Sequence, residues 1–488
     1  MQSSKTIERN TSLKLPKLYT CAARILKGIR ENGGTIGKLI TEAKHPRKTC
    51  LSALVRQAIK HKAPLLAALD KAQIRDKNPS IVEDLAIVLA CELLLGHKKA
   101  LTPGNQKINT ILESEAVLRD AYEEALHNHG EVKQAKFSPR YVRVNTMNGK
   151  DVAAVIAEIE SLGFKRIKLT TIEKSDFKKW KKAVKHLTEE QFLVDFHVPD
   201  MLVFHPAAKL TGTHLHDNSH IVLHDKCSAM AAIALNPHQG SVVLDACAAP
   251  GIKTTYLASL MAKDGWIWAV DRSKERCESL KWILQSTGAD SCVKVLERDF
   301  RRMNPNSEEG FTNAEYILLD PSCSGSGMTS RIELNPHNSG ALEARLRSLH
   351  NMQVMLLKHA MHFPCVKRIV YSTCSVYPEE NEEVIAEAID FPHSNFQLVE
   401  ALPEWPLRGL EEYPFASKCV RMTRKKTLTS GFFLAVFERV ETKKTMPRNE
   451  NKLGKKRKQH LDQGDTAVYK KMKRKMGAEN AGTSSWSK

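Results

Sequence analysis

Two cysteines lie in short polar segments that each follow an apolar run. Cys323 lies within Leu319–Gly325, which reads Leu-Asp-Pro-Ser-Cys-Ser-Gly, and Cys374 lies within Tyr371–Ser375, which reads Tyr-Ser-Thr-Cys-Ser. Most cysteines are buried and inert, whereas catalytic residues collect in the exposed loops that follow strands. If the two apolar runs are adjacent strands of one parallel sheet, both thiols reach the same sheet edge. The spacing therefore predicts one site that contains two thiols.

Such a pair suits methyl transfer to a ring carbon of a pyrimidine base. Carbon 5 of cytosine is too weak a nucleophile to accept a methyl group unaided, and a thiolate that adds to carbon 6 turns it into an enamine carbon. The thiolate needs a lowered pKa, for which Lys253 is a candidate,. Asp320 is placed to protonate or bond ring nitrogen 3, and the second thiol can assist release. Either cysteine could attack on these grounds.

A turn rich in small residues predicts the cofactor site. Residues 245–254 read Asp-Ala-Cys-Ala-Ala-Pro-Gly-Ile-Lys-Thr, between a predicted strand and a predicted helix, so the backbone can approach a ligand closely,. The turn is neither a dinucleotide fingerprint nor a Walker motif. Asp271 ends the next predicted strand, where an acid can accept bonds from ribose hydroxyls,. Asp299 ends the third predicted strand and could accept from an adenine amino group, so the set predicts adenosine recognition.

The elements that must position these residues are short apolar runs that alternate with helical segments over residues 205–440. The runs are Val242–Leu244, Ile267–Val270, Val293–Leu296, Ile317–Leu319 and Ile369–Tyr371. Alternation of strands and helices predicts an α/β domain with a doubly wound, mostly parallel sheet. A later run, Phe432–Phe437, is predicted to be an antiparallel edge strand.

Two further units precede this domain. Residues 1–130 show helical spacing, as in Leu18, Ala22, Ile25 and Ile29, and predict a helical domain without chemistry of its own,. Residues 131–204 predict a small α/β subdomain, since apolar and polar residues alternate from position 141 to 145,. Arg143 and Asn145 fall on one face of that strand, which either contacts RNA or is merely solvated.

Charge favours a polyanionic partner. The chain of 488 residues carries a net charge of +19, and residues 441–488 alone hold 14 Lys or Arg against 5 Asp or Glu. This tail is predicted to be disordered, and its two basic clusters favour a nuclear or nucleolar address that also holds RNA over a simple solubilising role. The most apolar stretch, Leu85–Leu95, is too short for a membrane span, which takes about 20 residues,. We therefore expect RNA, and neither a membrane nor an obligate protein partner.

Two other observations bear on metals and redox state. The eleven cysteines include no Cys-x-x-Cys, which disfavours a zinc ribbon and indicates a reducing compartment,. A histidine-rich stretch raises the alternative of a metal site, with candidate ligands His214, His216, Asp217, His220 and His224,. Loop histidines beside a strand are the commoner explanation, so no metal is expected.

Taken together, these motifs resemble the Sun-domain (Fmu-type) RNA cytosine-5 methyltransferases over residues 137–440. The resemblance includes Arg-Val-Asn-Thr at 143–146 as well as the turn and both cysteine segments. It implies a Rossmann-like class I methyltransferase domain, S-adenosylmethionine as cofactor, Cys374 as nucleophile and Cys323 as the thiol that assists release, with Lys253 and Asp320 in support. The implied cofactor contacts are Cys247, Ala248, Ala249, Pro250, Gly251, Ile252, Lys253, Asp271, Arg276, Asp299 and Asp320.

The segment 324–328 and the Arg-Gly-Leu stretch at 408–410 most resemble the fifth vertebrate Sun-domain subfamily, which acts on large-subunit rRNA. Ile252 and Lys226 depart from the family pattern without removing a reactive group. The same chemistry on tRNA remains an alternative. So does a non-catalytic RNA-binding factor for ribosome assembly, although the intact reactive residues disfavour it.

Overall fold

The computed structural model describes residues 13–32, 36–96, 98–128, 137–169, 176–328, 339–392 and 395–440. The basic tail, 441–488, lies outside the described residues. Within them the chain forms a helical domain, then a small α/β subdomain, then a larger α/β domain. This order of folds confirms the fold class that the sequence predicts.

The N-terminal domain is helical and has its own apolar core. Ala22 and Ile25 of the first helix are buried in it, and ten of the thirteen residues of the sixth helix are buried because that helix is apolar on all sides,. No helix in the described ranges is long and apolar enough to cross a membrane. The helices are α1 Lys17–Asn32, α2 Ile36–Glu42, α3 Lys48–Lys60, α4 Lys62–Lys71, α5 Ile74–Lys77, α6 Glu83–Leu95, α7 Gln106–Glu113 and α8 Glu115–Asn128.

The small subdomain is a five-stranded sheet in the order β2-β3-β4-β1-β5, flanked by helices. Its fifth strand pairs antiparallel with the first, so the sheet extends beyond residue 204, the boundary that the sequence predicts for this subdomain. A short strand in a histidine-rich loop offers too little pattern to place it. The elements are β1 Arg140–Val144, α9 Val152–Ser161, β2 Lys165–Arg166, α10 Phe177–Lys185, β3 Gln191–Val194, β4 Met201–Phe204, α11 His214–Asp217 and β5 Ile221–Leu223.

The larger domain is built on a sheet in the order β11-β13-β10-β9-β6-β7-β8, with β12 paired to β13. Strands β6 to β10 are parallel to one another and contain all five predicted runs. The elements are α12 Lys226–Leu235, β6 Val242–Asp245, α13 Ile252–Leu260, β7 Trp266–Asp271, α14 Lys274–Thr287, β8 Val293–Glu297, β9 Tyr316–Leu319, α15 Ser339–Ala360, β10 Arg368–Thr373, α16 Glu382–Ile389, β11 Phe396–Val399, β12 Val420–Met422, α17 Arg424–Thr427 and β13 Phe432–Arg439.

Strand β13 is antiparallel, as predicted, but it is not an edge strand. It pairs with β10 on one side and with β11 on the other. Its first six residues are all buried, because both faces of the sheet are covered here. The strands β11 and β12, which flank it, are short and have no counterpart among the predicted runs.

The prediction that Arg143 and Asn145 face solvent or RNA is wrong for this structure, because both side chains are fully buried. Arg143 Nη2 donates to Thr255 Oγ1 at 2.8 Å, and its guanidinium stacks on the Tyr256 ring, 4.8 Å from the centroid. Asn145 Nδ2 donates to the carbonyl of Thr287 at 3.0 Å. The polar face of β1 is therefore covered by the larger domain, and these residues join the two units.

Candidate active site

The structure brings the two candidate thiols together. Strands β9 and β10 are parallel neighbours, so the loops at their carboxyl ends meet at one edge of the sheet,. Cys323 Sγ lies 2.9 Å from Cys374 Sγ, and both residues are partly buried. All eleven cysteines fall within the described ranges, and none of them forms a disulfide bond. The site therefore holds two adjacent thiols rather than a bridge.

A partly buried ion pair lies beside the thiols. Lys253, in the first turn of α13, donates to Asp320 Oδ2 at 2.7 Å, and Ser372 Oγ donates to Asp320 Oδ1 at 2.8 Å. Burial lowers the pKa of Lys253, but the charge of Asp320 and its hydrogen bond outweigh burial, so the pKa is raised. Lys253 therefore stays an ammonium ion. It also interacts electrostatically with Cys374, and a cation beside a thiol favours the thiolate.

The environment of Cys323 keeps that thiol protonated. Its hydrogen bond with Cys374 raises its pKa well above the ordinary value, and burial and the charges of Glu380 and Asp320 act in the same direction. A protonated Cys323 can donate its S–H to the sulfur of Cys374. The surroundings of Cys323 therefore favour a protonated thiol at hydrogen-bond distance from Cys374.

A buried glutamate that the sequence motifs do not single out joins the two cysteine loops. Glu380 is fully buried, and its Oε1 accepts from the Ser324 N–H at 2.7 Å and from Gln353 Nε2 at 3.1 Å. Its Oε2 accepts from Ser375 Oγ at 2.5 Å. One carboxylate thus holds the residue after Cys323 and the residue after Cys374. Its place in an acidic stretch before a helix resembles ordinary helix capping, so the sequence offers no distinct signal.

Close backbone packing also fixes the loop after Cys323. Gly327 N–H donates to the Cys374 carbonyl at 2.9 Å, and Gly431 N–H donates to the Gly327 carbonyl at 2.8 Å. A Cβ on Gly327 would lie 2.1 Å from the Gly431 carbonyl oxygen, so only glycine allows this approach,. The loop after Cys323, the loop after Cys374 and the start of β13 are therefore tied together.

The predicted cofactor turn lies where β6 passes into α13. Gly251 precedes the helix with φ of +110°, and a Cβ there would lie 2.5 Å from Leu280 Cδ1. The turn is tied to the next strand, since Ala248 N–H donates to the Val270 carbonyl at 2.9 Å. Of the residues implied for the cofactor, Cys247, Ala249, Pro250 and Ile252 also lie in this segment, 247–252.

The acids predicted to recognise adenosine occupy successive strand ends. Asp271, buried at the end of β7, lies 3.2 Å from Arg276 Nη1, and Arg276 also donates to the Ala249 carbonyl. Asp299 follows β8 and pairs with Arg301, whose hydrogen bond lowers the pKa of the Asp299 carboxyl. Asp320 follows β9. Carboxylates at three strand ends beside a small-residue turn suit a ligand with ribose hydroxyls and a cationic centre, so these residues fit S-adenosylmethionine.

Asp245 is a further acid at this turn that is not among the predicted site residues. It is buried at the end of β6, and Thr254 Oγ1 donates to its Oδ2 at 2.7 Å. Burial raises the pKa of Asp245 to about 7, although the Thr254 hydrogen bond opposes the shift. The contact ties the strand end to the first turns of α13, which carry Lys253.

Three of the four histidines considered as metal ligands have other side-chain contacts. His214 Nε2 lies 3.1 Å from Glu158 Oε2, and His216 Nδ1 lies 3.1 Å from Asp217 Oδ1. His224 is buried and packs edge-on against the Tyr256 ring. In the part of the chain that the structure describes, no group of three or more His, Cys, Asp or Glu residues could hold a metal ion.

Two family models match the two α/β units separately. A model described as 16S rRNA methyltransferase RsmB/F matches residues 232–438. A second model, described as NOL1/NOP2/Sun domain family member 5, ferredoxin-like domain, matches residues 138–224. The boundary between the two matches falls after β5, in agreement with the extended sheet of the small subdomain.

Similar proteins cover nearly the whole chain. The mouse 28S rRNA (cytosine-C(5))-methyltransferase is 36% identical over 437 residues, which are 87% of this chain and 91% of that protein. The Caenorhabditis elegans 26S rRNA (cytosine-C(5))-methyltransferase nsun-5 is 31% identical over 87% of this chain and 98% of its own. The crystal structure of PH0851 matches with a TM-score of 0.56 and 21% identity, covering 88% of this chain and 100% of its own, and supports the fold.

Fold and site together define a class I methyltransferase that uses S-adenosylmethionine. Its two loop cysteines set it apart from enzymes that methylate exocyclic amino groups. The chain belongs to the Sun-domain family of RNA cytosine-5 methyltransferases, as its similarity to the mouse enzyme over most of both chains shows.

A change at Asp271 tests the cofactor site. Asp271→Ala is expected to weaken S-adenosylmethionine binding about ten- to a hundredfold, because hydrogen bonds to a charged acceptor contribute roughly 1.5–3 kcal/mol. Isothermal titration calorimetry measures the change. Asp264→Ala, an exposed acid before β7, is the matched control and should bind normally. Wild-type affinity in a folded Asp271→Ala variant would remove Asp271 from the site.

Proposed function

We propose that this chain methylates carbon 5 of a cytosine in large-subunit ribosomal RNA, with Cys374 as the nucleophile. The observation that carries the proposal is the pairing of the two thiols, 2.9 Å apart, beside the ammonium ion of Lys253. The similar proteins from mouse and Caenorhabditis elegans are named as methyltransferases of large-subunit rRNA, which supports the substrate.

The first steps follow from the charges at the site. Cys374 attacks carbon 6 as a thiolate favoured by Lys253, and its electron pair forms the carbon–sulfur bond. Negative charge moves through the ring to nitrogen 3, where the hydrogen-bonded pair of Lys253 and Asp320 supplies a proton. Carbon 5 is then an enamine carbon. S-adenosylmethionine, when bound, supplies an electrophilic methyl group on a positively charged sulfur.

The second thiol assists release. A base removes the hydrogen on carbon 5, the electron pair re-forms the ring double bond, and the carbon–sulfur bond breaks to return Cys374 as a thiolate. Nitrogen 3 returns its proton to the pair of Lys253 and Asp320. The Cys323 thiol keeps its proton in this environment and lies at hydrogen-bond distance. It stabilises the departing sulfur by donating its S–H. Cys323 therefore acts mainly in the second half of the reaction.

Bisulfite sequencing of total RNA from cells with and without the chain tests the substrate. We expect a cytosine of large-subunit rRNA to lose its protection from conversion when the chain is absent, and a Cys374→Ala chain to leave it unprotected. Loss of protection in tRNA alone would show that the substrate is tRNA and not large-subunit rRNA. Unchanged protection in every RNA would overturn the enzymatic function.

We also propose a nucleolar location, for which the basic composition of the tail is the support. Removal of residues 441–488 is expected to lower RNA affinity and flatten its salt dependence, because fewer counterions are released on binding. Fluorescence imaging of a tagged truncation should show weaker nucleolar retention. If retention and salt dependence both match the full chain, the tail only aids solubility.

A further inference from the structure

The helix α10 has one apolar face and one basic face. Trp180 and Val184 on the inner face are fully buried. The outer face carries exposed lysines about one helical turn apart, Lys178, Lys182 and Lys185,. This positive face belongs to the small subdomain and is not part of the site described above.

A second basic segment continues this surface onto the larger domain. Lys425 and Lys426 of α17 are exposed, and Lys181 Nζ donates to their carbonyls at 2.7 and 3.1 Å. The two segments therefore touch across the boundary between the units. We call the exposed lysines of both segments the basic ridge, which comprises Lys178, Lys179, Lys182, Lys185, Lys425 and Lys426.

The charge of the ridge is largely uncompensated. Residues 176–190 and 424–426 contain eight Lys or Arg and three Asp or Glu. Among the described residues, Lys179 is the one lysine of the ridge within salt-bridge distance of a carboxylate, that of Asp176 at 2.6 Å. A surface with this surplus attracts a polyanion.

Buried contacts join α10, which carries part of the ridge, to the larger domain. Trp180, on the inner face of α10, lies under Lys226, with Nζ 4.2 Å from the ring centroid. Lys226 is fully buried at the start of α12, pairs with Asp195 at 2.6 Å and lies 5.6 Å from the Trp405 ring centroid. Lys226, which departs from the family pattern, thus fixes the position of α10 through a buried charge.

The Lys426 end of the ridge is close in sequence to a residue that contacts the loop after Cys323. Lys426 is five residues before Gly431, whose N–H bonds to the loop after Cys323. At no more than about 3.6 Å per residue, Lys426 lies within roughly 20 Å of that loop. At about 3.4 Å per phosphate along one strand, this distance corresponds to about six phosphates or fewer.

We propose that the basic ridge binds the RNA backbone, with its Lys426 end within about six nucleotides of the target cytosine, and directs the strand to the thiols. Lysines bind phosphates as point charges without reading sequence. RNA is favoured over an acidic protein as the occupant because one end of the ridge lies near a site whose proposed substrate is itself a polyanion. The inference rests on the proposed function and adds to it a surface on the small subdomain.

The test compares the full chain with the triple variant Lys178→Gln, Lys182→Gln, Lys185→Gln. Fluorescence anisotropy with a labelled single-stranded RNA of about 30 nucleotides measures binding across a range of salt concentrations. Three lost phosphate contacts should lower the slope of log affinity against log salt by about 2. S-adenosylmethionine affinity should stay unchanged, since no altered lysine lies in the cofactor turn.

The matched control is Lys60→Gln, Lys281→Gln, Lys418→Gln, which removes three exposed lysines elsewhere and should keep the wild-type slope. The proposal would be overturned by a ridge variant that keeps the wild-type slope, or by a control variant whose slope falls as much as that of the ridge variant. In either case, RNA methylation by the wild type would still uphold the proposed function. If the wild type methylates no RNA, the proposed function fails, whereas a reduced slope still supports RNA binding by the ridge.

Discussion

A Cys374→Ala variant is expected to lose methyl transfer to RNA by more than about a thousandfold, the scale on which loss of a catalytic nucleophile acts. It should also form no covalent complex with RNA, because no thiol attacks carbon 6. Cys323 cannot readily replace it, since burial and the charges of Glu380 and Asp320 still raise its pKa after the hydrogen bond with Cys374 is lost. Denaturing electrophoresis with labelled RNA detects the complex.

The partner variant Cys323→Ala should behave in the opposite way. Cys374 keeps its neighbour Lys253 and still attacks, so the first half of the reaction proceeds. Release is slow, because the departing sulfur has lost the S–H donor that lies 2.9 Å away. A covalent complex with RNA should therefore accumulate and survive denaturing electrophoresis.

An exposed thiol provides the control for these variants. Cys365→Ala removes a free cysteine away from the site and should leave both methylation and release unchanged. An adduct from Cys374→Ala and none from Cys323→Ala would exchange the two roles. Methylation that survives both changes, without any adduct, would eliminate the thiol mechanism.

The sequence predicts those parts of this architecture that depend on the local pattern of apolar and polar residues. Parallel strands covered on both faces must be apolar throughout, so their runs are visible in the sequence, and the residues after each run must then share one edge. For this reason the sequence alone predicts that Cys323 and Cys374 share one site. The position of β13 within the sheet cannot be predicted from local pattern, because strand order depends on how distant segments pair.

Buried polar residues mark the point at which sequence pattern is insufficient. The alternation of Arg143 with valines is typical of a solvent-facing residue, yet its partner is Thr255, far along the chain. Asn145 and Lys226 are satisfied by distant groups in the same manner. Whether a polar residue is exposed or buried with a partner is decided by tertiary contacts, which no local spacing encodes.

Among the buried polar residues, Glu380 is the one whose replacement is expected to reduce activity most. Glu380→Ala removes the acceptor of the Ser324 N–H and of the Ser375 hydroxyl, so the loops that carry the two cysteines lose their common anchor. Misplacement of reacting groups by about 1 Å costs on the order of a hundredfold in rate. We therefore expect methyl transfer to fall about a hundredfold or more. Glu380→Gln, which keeps one carbonyl acceptor, should retain part of the activity.

A positioning role differs from general destabilisation in what it leaves intact. Glu380 contacts neither the turn 247–252 nor Asp271, so S-adenosylmethionine affinity by calorimetry should stay at the wild-type value. The Cys323→Ala variant traps the covalent adduct between Cys374 and RNA. In that variant, the additional change Glu380→Ala should slow formation of the adduct. Glu412→Ala, an exposed carboxylate, serves as control and should change neither quantity. Adduct formation at the undiminished rate, or an equal loss of cofactor affinity, would show that Glu380 does not position the thiols.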